Sequence, residues 1–360
     1  MTKVISIAGR KIGSGFPPYI IAEMSANHNG DLNNAFRIIE QAKKNGADAV
    51  KIQTYHPDTI TLNSSLPDFQ INDGLWTGRS LYELYEEAHT PWDWHKALFE
   101  HANKNQITMF SSPFDKTAVD LLEDLNAPAY KIASFEAIDI PLIKYVAQTR
   151  KPIIISTGMA NDEEIQEAID AAREAGCSEL ALLHCVSGYP APAEDYNLLT
   201  LSDMHRRFGL VIGLSDHTLD NTTAIVSIGL GAAIIEKHFT LDRNGGGPDD
   251  SFSLEPDQLR NLCDRSKIAS SAVGRVDYGR KSSEVGNVKF RRSLYVTKDL
   301  SCGDILSIDH VASIRPGYGL PPKYLDDVIG LAVNKRKKRG ESLQSEDIDD
   351  FKIISKGPLA

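Results

Sequence analysis

The sequence predicts an α/β protein: a closed (β/α)₈ barrel of the TIM type, followed by a small, mainly β module. Between residues 19 and 273, short apolar runs rich in β-branched residues alternate about eight times with segments of helical spacing. Eight such units in roughly 250 residues is the usual size of a barrel of this kind. No G-x-G-x-x-G motif follows the first strand, which disfavours the competing arrangement, a doubly wound open sheet.

The predicted strands and helices follow one another through the first 273 residues. The strands are predicted at 19–25, 48–55, 108–114, 129–136, 151–158, 179–187, 210–218 and 232–240. The helices are predicted at 32–46, 92–105, 116–126, 140–150, 161–176, 198–209, 221–231 and 255–273. The first helix shows why: its apolar residues recur every three or four positions, Asp31 is a suitable N-cap, and Gly46 marks the end. Asn161 is predicted to cap the helix at 161–176.

A long connection interrupts the alternation from His56 to about Pro91. Connections of that length inside a compact domain are usually functional or disordered. This one contains Trp76, Tyr82 and Tyr85. We therefore expect a structured flap over an active site.

The chain after the last barrel helix predicts a second, smaller domain. Residues 274–290 are polar and contain glycine, which indicates a linker after a barrel domain of residues 1–273. Residues 291–360 alternate β-like runs with turn residues. A module of this size is too small to hold a large pocket by itself, so we expect it to cover, stabilise or assemble the protein.

The composition excludes several classes of protein. The 360 residues are 41% hydrophobic and 24% charged, and the net charge of −10 argues against a general nucleic-acid or membrane binder. The four cysteines form no CxxC pair, which indicates reduced thiols in a cytoplasmic protein. The first residues lack the apolar core of a signal peptide, and no run approaches the ~20 apolar residues of a membrane span.

Polar residues follow the apolar part of every predicted strand. Barrel enzymes place their chemistry at the carboxyl ends of the strands, so these side chains are expected to meet at one mouth. Lysines and hydroxyls that converge there predict a phosphate or carboxylate ligand. One serine after a strand is usually a helix cap, but capping does not explain eight polar strand ends in series. The residues concerned are Glu23, Lys51, Gln53, Ser111, Ser112, Lys131, Ser134, Glu136, Ser156, Thr157, His184, Ser187, Tyr189, Ser215, Asp216, His217, Glu236, Lys237 and His238.

His217 and His238 end two predicted strands that would be neighbours. Imidazoles at adjacent strand ends can share a divalent metal and leave positions open for substrate oxygens and water. The alternative is that one of the two is a neutral core histidine. Because no thiolate accompanies the pair, Mn²⁺ or Mg²⁺ fits better than structural zinc. Gly245 to Gly247 and then Asp249 follow, as a flexible loop beside the expected site.

These residues lie in sequence motifs that resemble the sialic acid synthase family, whose members condense phosphoenolpyruvate with an N-acetylated amino sugar. The motifs span nearly the whole chain: IAEMSANHNGD, ADAVKIQTY, FSSPFD, YKIASFE, PIIISTGMA, LLHCVSGYPAP, GLSDHT, EKHFTLDRNGGGPDD, FRRS and RPGYG. The stretches SANHNGD, SSPFDKTAVD, LDRNGGGPDDSFSLEP and RPGYGLPPKYLDDVIG are most similar to the pseudaminic acid synthase branch. The resemblance implies that the small module is an SAF, or antifreeze-like, domain.

The resemblance also implies a role for each matching residue. His217 and His238 would bind the Mn²⁺ or Mg²⁺ ion, Glu136 would lie beside the reacting centre, and Glu23 would be a second catalytic carboxylate near the sugar. The residues implied for phosphoenolpyruvate are Lys51, Ser112, Lys131, Ser134, Ser156, Ser187 and Ser215. The residues implied for the sugar are Gln53, Tyr189, Asp249 and, from the small domain of a partner subunit in a homodimer, Arg315.

The activity that the resemblance implies joins phosphoenolpyruvate, 2,4-diacetamido-2,4,6-trideoxy-L-altrose and water into pseudaminic acid and phosphate. Three alternatives stay open. The first is an N-acetylneuraminate or legionaminate synthase. The second is a synthase that makes eight-carbon acid sugars from an aldose phosphate, and the third is a non-catalytic carbohydrate-binding protein. Neither nucleic acid nor a membrane is expected as a partner.

Overall fold

A computed structural model describes residues 4–353 of the chain. These residues belong to two compact units, Met1–Gly274 and Arg275–Ala360. Residues 1–3 of the predicted barrel domain and residues 354–360 of the predicted small module lie outside the described residues.

An antiparallel hairpin, β1 (Val4–Ile7) and β2 (Arg10–Gly13), precedes the barrel. No element is predicted here from the sequence, because strands of four residues are too short to show a clear period. Ile5, Ile7 and Ile12 are buried in one apolar cluster with side chains from the first residues of the barrel strands. The hairpin therefore covers the amino-terminal end of the barrel, which leaves the carboxyl end for a site.

Eight parallel strands close into a barrel, as the sequence predicts. Each strand pairs with the next along the chain, and the last pairs with both its predecessor and the first. This closure rules out the open doubly wound sheet. In chain order the barrel strands are Tyr19–Glu23 (β3), Ala49–Thr54 (β4), Thr108–Pro113 (β5), Tyr130–Ile132 (β6), Ile153–Ser156 (β7), Leu180–Cys185 (β8), Val211–Asp216 (β9) and Ile234–His238 (β10).

Helices connect the barrel strands. The α-helices of this unit are Leu32–Lys44 (α1), Pro57–Ile60 (α2), Leu81–Ala88 (α3), His95–Lys104 (α4), Lys116–Asp124 (α5), Ile140–Ala147 (α6), Asp162–Glu174 (α7), Leu199–Phe208 (α8), Thr222–Gly229 (α9) and Pro256–Val273 (α10). Short 3-10 helices lie at Pro67–Phe69, Trp92–Trp94, Ser134–Glu136, Ala193–Tyr196 and Asp250–Phe252. As predicted, Asp31 and Asn161 cap α1 and α7 through their side chains, and Gly46 follows α1 with φ +94°.

The helices of the described residues lack the combined length and hydropathy of a membrane span. Even α10, with 18 residues, does not combine the length and the hydropathy that a crossing needs, and neither does any other helix in residues 4–353.

The strand predicted at 129–136 is shorter in the structure. β6 ends at Ile132, and Ser134–Glu136 forms a 3-10 turn in which Glu136 N donates to Ala133 O at 3.2 Å. Ser134 Oγ accepts a hydrogen bond from Gly158 N at 3.2 Å, which ties this turn to the residues that follow β7. Glu136 is therefore on a turn beyond the carboxyl end of β6, and the prediction that it ends a strand is wrong.

The predicted flap, residues 56–91, is structured and partly helical. It contains α2, α3 and an antiparallel bridge between its two arms. Trp76 Nε1 donates to Pro248 O at 3.0 Å, and Trp92 Nε1 donates to Tyr55 O at 3.1 Å. The first bond attaches the flap to the glycine-containing loop, and the second joins the two residues that flank the flap, Tyr55 before it and Trp92 after it.

The second unit is a small, mainly β module. Its strands β11 (Ser293–Val296) and β12 (Val311–Ile314) are antiparallel, and α11 (Leu325–Val328) is a single helical turn. Short 3-10 helices lie at Ser282–Phe290, Pro322–Tyr324 and Ser345–Asp347, the first of them within the residues predicted as a linker. The core of this unit contains Leu294, Val296, Leu300, Leu306, Val311, Leu320, Val328, Val333, Leu343 and Ile348.

Candidate active site

The carboxyl ends of the barrel strands bring most of the predicted polar residues together in the protein interior. Residues at alternate positions of a strand share a side, so the inward-facing ends of eight strands converge on the barrel axis. The members that are almost fully buried are Glu23, Lys51, Ser112, Lys131, Ser156, Ser215, His217 and Glu236. Burial of this many polar groups requires that they pair with one another or with a ligand.

Two lysines and two carboxylates form a buried ionic cluster. Lys51 Nζ lies 3.0 Å from Glu23 Oε2 and 3.4 Å from Glu236 Oε1, and Lys131 Nζ lies 3.2 Å from the same oxygen of Glu236. Burial by itself raises the pKa of Glu236, but the charges of Lys131 and Lys51 outweigh it and lower that pKa to about 2. Burial lowers the pKa of Lys51, but the Glu23 and Glu236 carboxylates more than compensate and raise it. Lys51 is therefore held in place as a cation before any substrate binds, whereas burial outweighs the attraction of Glu236 at Lys131 and lowers the pKa of that lysine.

Glu236 was among the polar strand ends expected at the mouth, but no catalytic, substrate-binding or metal-binding role was predicted for it. Its Oε1 also accepts a hydrogen bond from Ser215 Oγ at 3.2 Å. A usable signal was present: Glu236 and His238 are two residues apart on β10 and therefore face the same side.

Serine hydroxyls line the same region, and several have free hydrogen-bonding capacity. Ser112 Oγ accepts from Lys51 Nζ at 3.2 Å. Ser156 Oγ and Ser187 Oγ are buried and have no hydrogen-bond partner among the described residues. A Cβ atom placed on Gly158 would lie 2.4 Å from Ser187 Oγ and 2.8 Å from Ser134 Oγ, so the two hydroxyls are packed against this glycine. Unpaired hydroxyls next to two ammonium groups form a site for an anion.

His217 and His238 are brought together, as predicted, with ring centroids 5.4 Å apart. His217 Nδ1 donates to Val186 O at 2.8 Å, which leaves its Nε2 lone pair available to a ligand. His238 Nδ1 is buried without a hydrogen-bond partner among residues 4–353, and it lies 3.9 Å from Asp249 Oδ2. No group of three or more His, Cys, Asp or Glu side chains in the described part of the chain has the arrangement of a metal site. Any metal here would need ligands from water or substrate in addition to the two imidazoles.

Two of the residues predicted to contact the sugar, Gln53 and Asp249, belong to a second hydrogen-bonded set. Gln53 Nε2 donates to Glu23 Oε1 at 3.1 Å and to Ser25 Oγ at 3.0 Å, and Ser25 Oγ donates to Asp249 Oδ2 at 2.5 Å. The ring of Tyr189 packs on His217 with centroids 4.4 Å apart. Ser25 was missed by the sequence analysis, because serine at a strand end most often caps a helix.

Glu136 has an environment unlike that of the other carboxylates. Its Oε2 is buried and has no hydrogen-bond partner among the described residues. Burial is the main cause that raises the pKa of Glu136, to about 7. A carboxyl group with such a pKa can accept or release a proton near neutral pH.

A cavity of about 280 Å³ opens beside these groups and is formed entirely by the first unit. Its polar lining consists of Ser25, Gln53, Ser134, Glu136, Tyr189, His238 and Asp249. The flap supplies Ile60, Trp76, Leu84, Tyr85 and Ala88. Tyr82, which we expected beside Trp76 and Tyr85, does not line the cavity.

The glycine-containing loop is fixed by Asp250, another residue that the sequence analysis missed. Asp250 Oδ2 accepts hydrogen bonds from Asn29 Nδ2 and from Gly247 N, both at 2.9 Å. A Cβ atom on Gly247 would lie 1.9 Å from Asn29 Oδ1, so only glycine fits at this close approach. The loop is thereby held in the conformation that presents Asp249 to the cavity.

Several strand-end residues face away from the mouth and have structural roles. Lys237 Nζ donates to Asp216 Oδ2 at 2.9 Å and to Thr218 O at 2.8 Å, all buried. The Ser111 hydroxyl pairs with Thr54 Oγ1 at 2.6 Å. Arg315, the remaining predicted site residue, belongs to the second unit; it follows β12 directly and its side chain is exposed.

A closed parallel barrel with lysines, carboxylates and paired histidines beside a cavity at its carboxyl end is the architecture of a barrel enzyme. The chain belongs to the NeuB family: the model of that family matches residues 38–278, and the model of the SAF domain matches residues 291–349. These matches confirm the resemblance inferred from the sequence motifs, and they confirm the type of the small module.

Individual relatives cover almost the whole chain. It is 43% identical over 329 residues to the pseudaminic acid synthase of Campylobacter jejuni, covering 91% of this chain and 96% of that protein. It is 36% identical over 329 residues to the N,N'-diacetyllegionaminic acid synthase of the same species, covering 90% of this chain and 98% of that protein. The solved structure of N-acetylneuraminic acid (sialic acid) synthetase from Leptospira borgpetersenii, in complex with citrate, has a TM-score of 0.72 and 30% identity and covers 81% of this chain and 97% of that one.

Proposed function

We propose that this chain is a pseudaminic acid synthase. It condenses phosphoenolpyruvate with 2,4-diacetamido-2,4,6-trideoxy-L-altrose and water, and it releases phosphate by C–O cleavage. The observation that carries the proposal is the buried cluster of Lys51 and Lys131 with unpaired serine hydroxyls, which borders a sugar-sized cavity. The 43% identity to a pseudaminic acid synthase supports the choice of sugar.

Phosphoenolpyruvate carries a phosphate and a carboxylate, and the cluster offers complementary groups to both. Lys51 pairs with both Glu23 and Glu236, whereas Lys131 has Glu236 alone as its ion-pair partner among the described residues. The side chain of Lys131 therefore has capacity to bind a second anion. The hydroxyls assigned to this substrate are those of Ser112, Ser134, Ser156, Ser187 and Ser215. Ser156 and Ser187 have free capacity because their hydroxyls have no partner among residues 4–353.

His217 and His238 fit a divalent metal, and we propose Mn²⁺ or Mg²⁺. The bond from His217 Nδ1 to Val186 O orients that ring, and Nδ1 of His238 is a buried ring nitrogen without a hydrogen-bond partner among residues 4–353. When bound, such an ion supplies Lewis-acid polarisation to the open-chain sugar aldehyde. Chelation is expected to abolish phosphate release, and His238→Ala to lower the affinity for Mn²⁺ in calorimetry.

The remaining chemistry is assigned to residues of the chain itself. Carbon 3 of phosphoenolpyruvate forms the new C–C bond to the aldehyde carbon, water adds at carbon 2, and the bond from carbon 2 to the phosphate oxygen breaks. Overall, the two hydrogens of that water end on the former aldehyde oxygen, which becomes a hydroxyl, and on the departing phosphate. Glu136 takes the proton that the water loses, because its carboxylate has no competing hydrogen bond and its pKa is raised to about 7. Glu23, Gln53, Tyr189 and Asp249 orient the sugar, and the lysines stabilise the leaving phosphate.

We further propose that the enzyme is a cytoplasmic homodimer and that Arg315 serves the partner's active site. The domains would be a barrel of residues 1–273, a linker of residues 274–290 and an SAF domain of residues 291–360. Arg315 is exposed and has no ion pair within the described residues, which leaves its guanidinium available to another molecule. A closed two-fold pair would satisfy both copies at once.

A panel of sugars tests the proposal directly. With phosphoenolpyruvate and Mn²⁺, phosphate release is measured for the diacetamido altrose, its stereoisomers and N-acetylmannosamine. A legionaminate synthase is the second candidate, because the chain is also 36% identical to an enzyme of that name. The proposed function requires the altrose isomer to have the highest kcat/KM, and equal use of N-acetylmannosamine would contradict it.

A further inference from the structure

The cavity at the barrel mouth has two unlike walls. One wall carries the hydrogen-bonding groups of Ser25, Gln53, Glu136, His238 and Asp249. The other, which we call the apolar wall, comprises Ile60, Leu84, Tyr85 and Ala88 from the flap and Phe114 directly after β5. Only Tyr85 in the apolar wall has a polar side-chain atom. A ligand that fills this cavity therefore meets both hydrogen-bonding groups and a set of hydrocarbon side chains.

The apolar wall is held in place by contacts that do not involve a ligand. Leu84 on α3 is only 6% exposed. The ring of Tyr55 makes edge contacts with Tyr85 and Phe114, with centroids 5.8 and 5.2 Å apart. The bond from Trp76 to Pro248 O joins the flap to the loop across the cavity. The wall is thus already formed, and a substrate must fit it as it stands.

An apolar wall discriminates between a methyl group and a hydroxyl group. A hydroxyl pressed against Ile60, Leu84 or Phe114 loses its bonds to water and finds no acceptor or donor in exchange. A methyl group at the same position gains from the removal of its surface from water. Rejection of an added hydroxyl by a hydrocarbon pocket typically amounts to about 100-fold in kcat/KM.

We propose that the apolar wall receives the tail of the sugar chain and selects a methyl group at carbon 6 over a hydroxymethyl group. Ile60 and Leu84 are the specificity-determining residues. This rests on the proposed function, since it takes the reacting end of the sugar to lie at His238 and Glu136, which leaves the far end for the flap. The selection concerns carbon 6 alone and does not depend on which stereoisomer is the natural substrate.

Two sugars and three variants test the inference. The sugars are 2,4-diacetamido-2,4,6-trideoxy-L-altrose and its analogue with a hydroxyl at carbon 6, each with phosphoenolpyruvate and Mn²⁺. The wild type is expected to prefer the 6-deoxy sugar by about 100-fold in kcat/KM. Ile60→Asn and Leu84→Asn should each reduce this preference to about tenfold or less, because the amide can bond to the hydroxyl. Leu66→Asn is the matched control: it lies in the same flap, is 62% exposed and is expected to keep the wild-type ratio.

The possible outcomes separate the two proposals. If no 2,4-diacetamido-2,4,6-trideoxyhexose releases phosphate, the proposed function fails. If such a sugar reacts but the wild type uses the 6-hydroxy analogue within about threefold, only the inference fails. An unchanged ratio in folded Ile60→Asn protein also overturns it. Ile60 is only half-buried, so this variant keeps the test decisive if Leu84→Asn does not fold, which thermal unfolding will show.

Discussion

Two carboxylates of the site are given opposite proton affinities by their surroundings. Glu236 contacts two ammonium groups, which lower its pKa to about 2 in spite of burial. Glu136 is buried without a hydrogen bond to Oε2, and its pKa rises to about 7. At neutral pH the first is a fixed anion that holds the lysines, and the second can exchange a proton. From this difference we infer a structural role for Glu236 and a role in proton transfer for Glu136.

Glu136→Gln is expected to lower kcat by about 10²- to 10⁴-fold, the usual contribution of a positioned general base or acid. Neither Michaelis constant should change much, because the amide keeps the shape of the side chain. Steady-state phosphate release measures all three constants. Glu167→Gln, on the exposed face of α7, controls for the loss of a negative charge. A change confined to the Michaelis constants would show that Glu136 binds substrate and does no chemistry.

The same raised pKa predicts how stability depends on pH. Between the unfolded value of 4.5 and the folded value of about 7, the folded protein binds more protons at Glu136 than the unfolded chain does. The contribution of Glu136 to the free energy of unfolding is therefore full below about pH 4.5. It is lost as the pH rises through about 7, and the loss is at most on the order of 3 kcal/mol. Denaturant unfolding of metal-free protein measures the free energy of unfolding at pH 5 and at pH 8. This free energy should fall less between the two pH values in Glu136→Gln than in wild type or Glu167→Gln. Identical losses would mean that Glu136 titrates normally.

Lys51 and Lys131 are expected to share a function but to differ in their effect on stability. Either substitution by Met should raise the Michaelis constant for phosphoenolpyruvate, since each removes a cation from the anion site. Lys51→Met also removes the ammonium 3.0 Å from Glu23. A buried charge that is left without its partner typically lowers the free energy of unfolding by about 3–5 kcal/mol. Lys131→Met should cost less, because Glu236 still contacts Lys51 at 3.4 Å.

Denaturant unfolding and kinetics of the two lysine variants check this order. Lys96→Met, exposed on α4, is the control for a lysine without a buried partner. If only the Michaelis constant for the sugar changes, the two substrate pockets have been assigned the wrong way round.

At the scale of an element, the turn after β7 packs against two hydroxyls that are assigned to phosphoenolpyruvate, those of Ser134 and Ser187. A Cβ atom on Gly158 would meet Ser187 Oγ at 2.4 Å and Ser134 Oγ at 2.8 Å. Gly158→Ala must therefore displace both serines. Because overpacking of this kind typically costs about 1–3 kcal/mol, we expect the Michaelis constant for phosphoenolpyruvate to rise about tenfold or more. The constant for the sugar should change little. Gly229→Ala, at the end of α9 with open space around it, is the matched control and should leave both constants unchanged. Unaltered kinetics in Gly158→Ala would show that these hydroxyls do not belong to the substrate site.

The elements most accurately predicted from the sequence are those with a long period or a clear stop. The barrel strands and helices were placed because apolar runs of five or six residues alternate with amphipathic segments ended by residues such as Gly46. The hairpin β1–β2 was not predicted, because strands of four residues show too little periodicity. The end of β6 was misplaced because Ser134 and Glu136 continue the alternation of the strand, although the backbone already turns at Ala133.

At the scale of the whole molecule, barrel closure determines which distant residues meet. β10 pairs with β3, and this brings Glu236 next to Lys51 and Asp250 next to Asn29. Strand order predicts that such ends are neighbours, so His217 and His238 could be paired from the sequence. The particular partners of Glu236 and Asp250 could not, because they depend on the radius and stagger of the closed barrel.

The proposed exchange of Arg315 between subunits can be tested with two inactive proteins. Arg315→Ala removes the guanidinium, and Lys131→Met removes a cation from the barrel; each homodimer is expected to be nearly inactive. In a heterodimer with exchanged small domains, one site receives both lesions and the other receives none. Random reassortment of equal amounts should then restore about a quarter of the wild-type activity, since half of the dimers are mixed and each has one intact site. If Arg315 acted within its own chain, every site would carry one lesion. Absence of recovery in mixtures in which mass spectrometry detects heterodimers would therefore exclude the exchange.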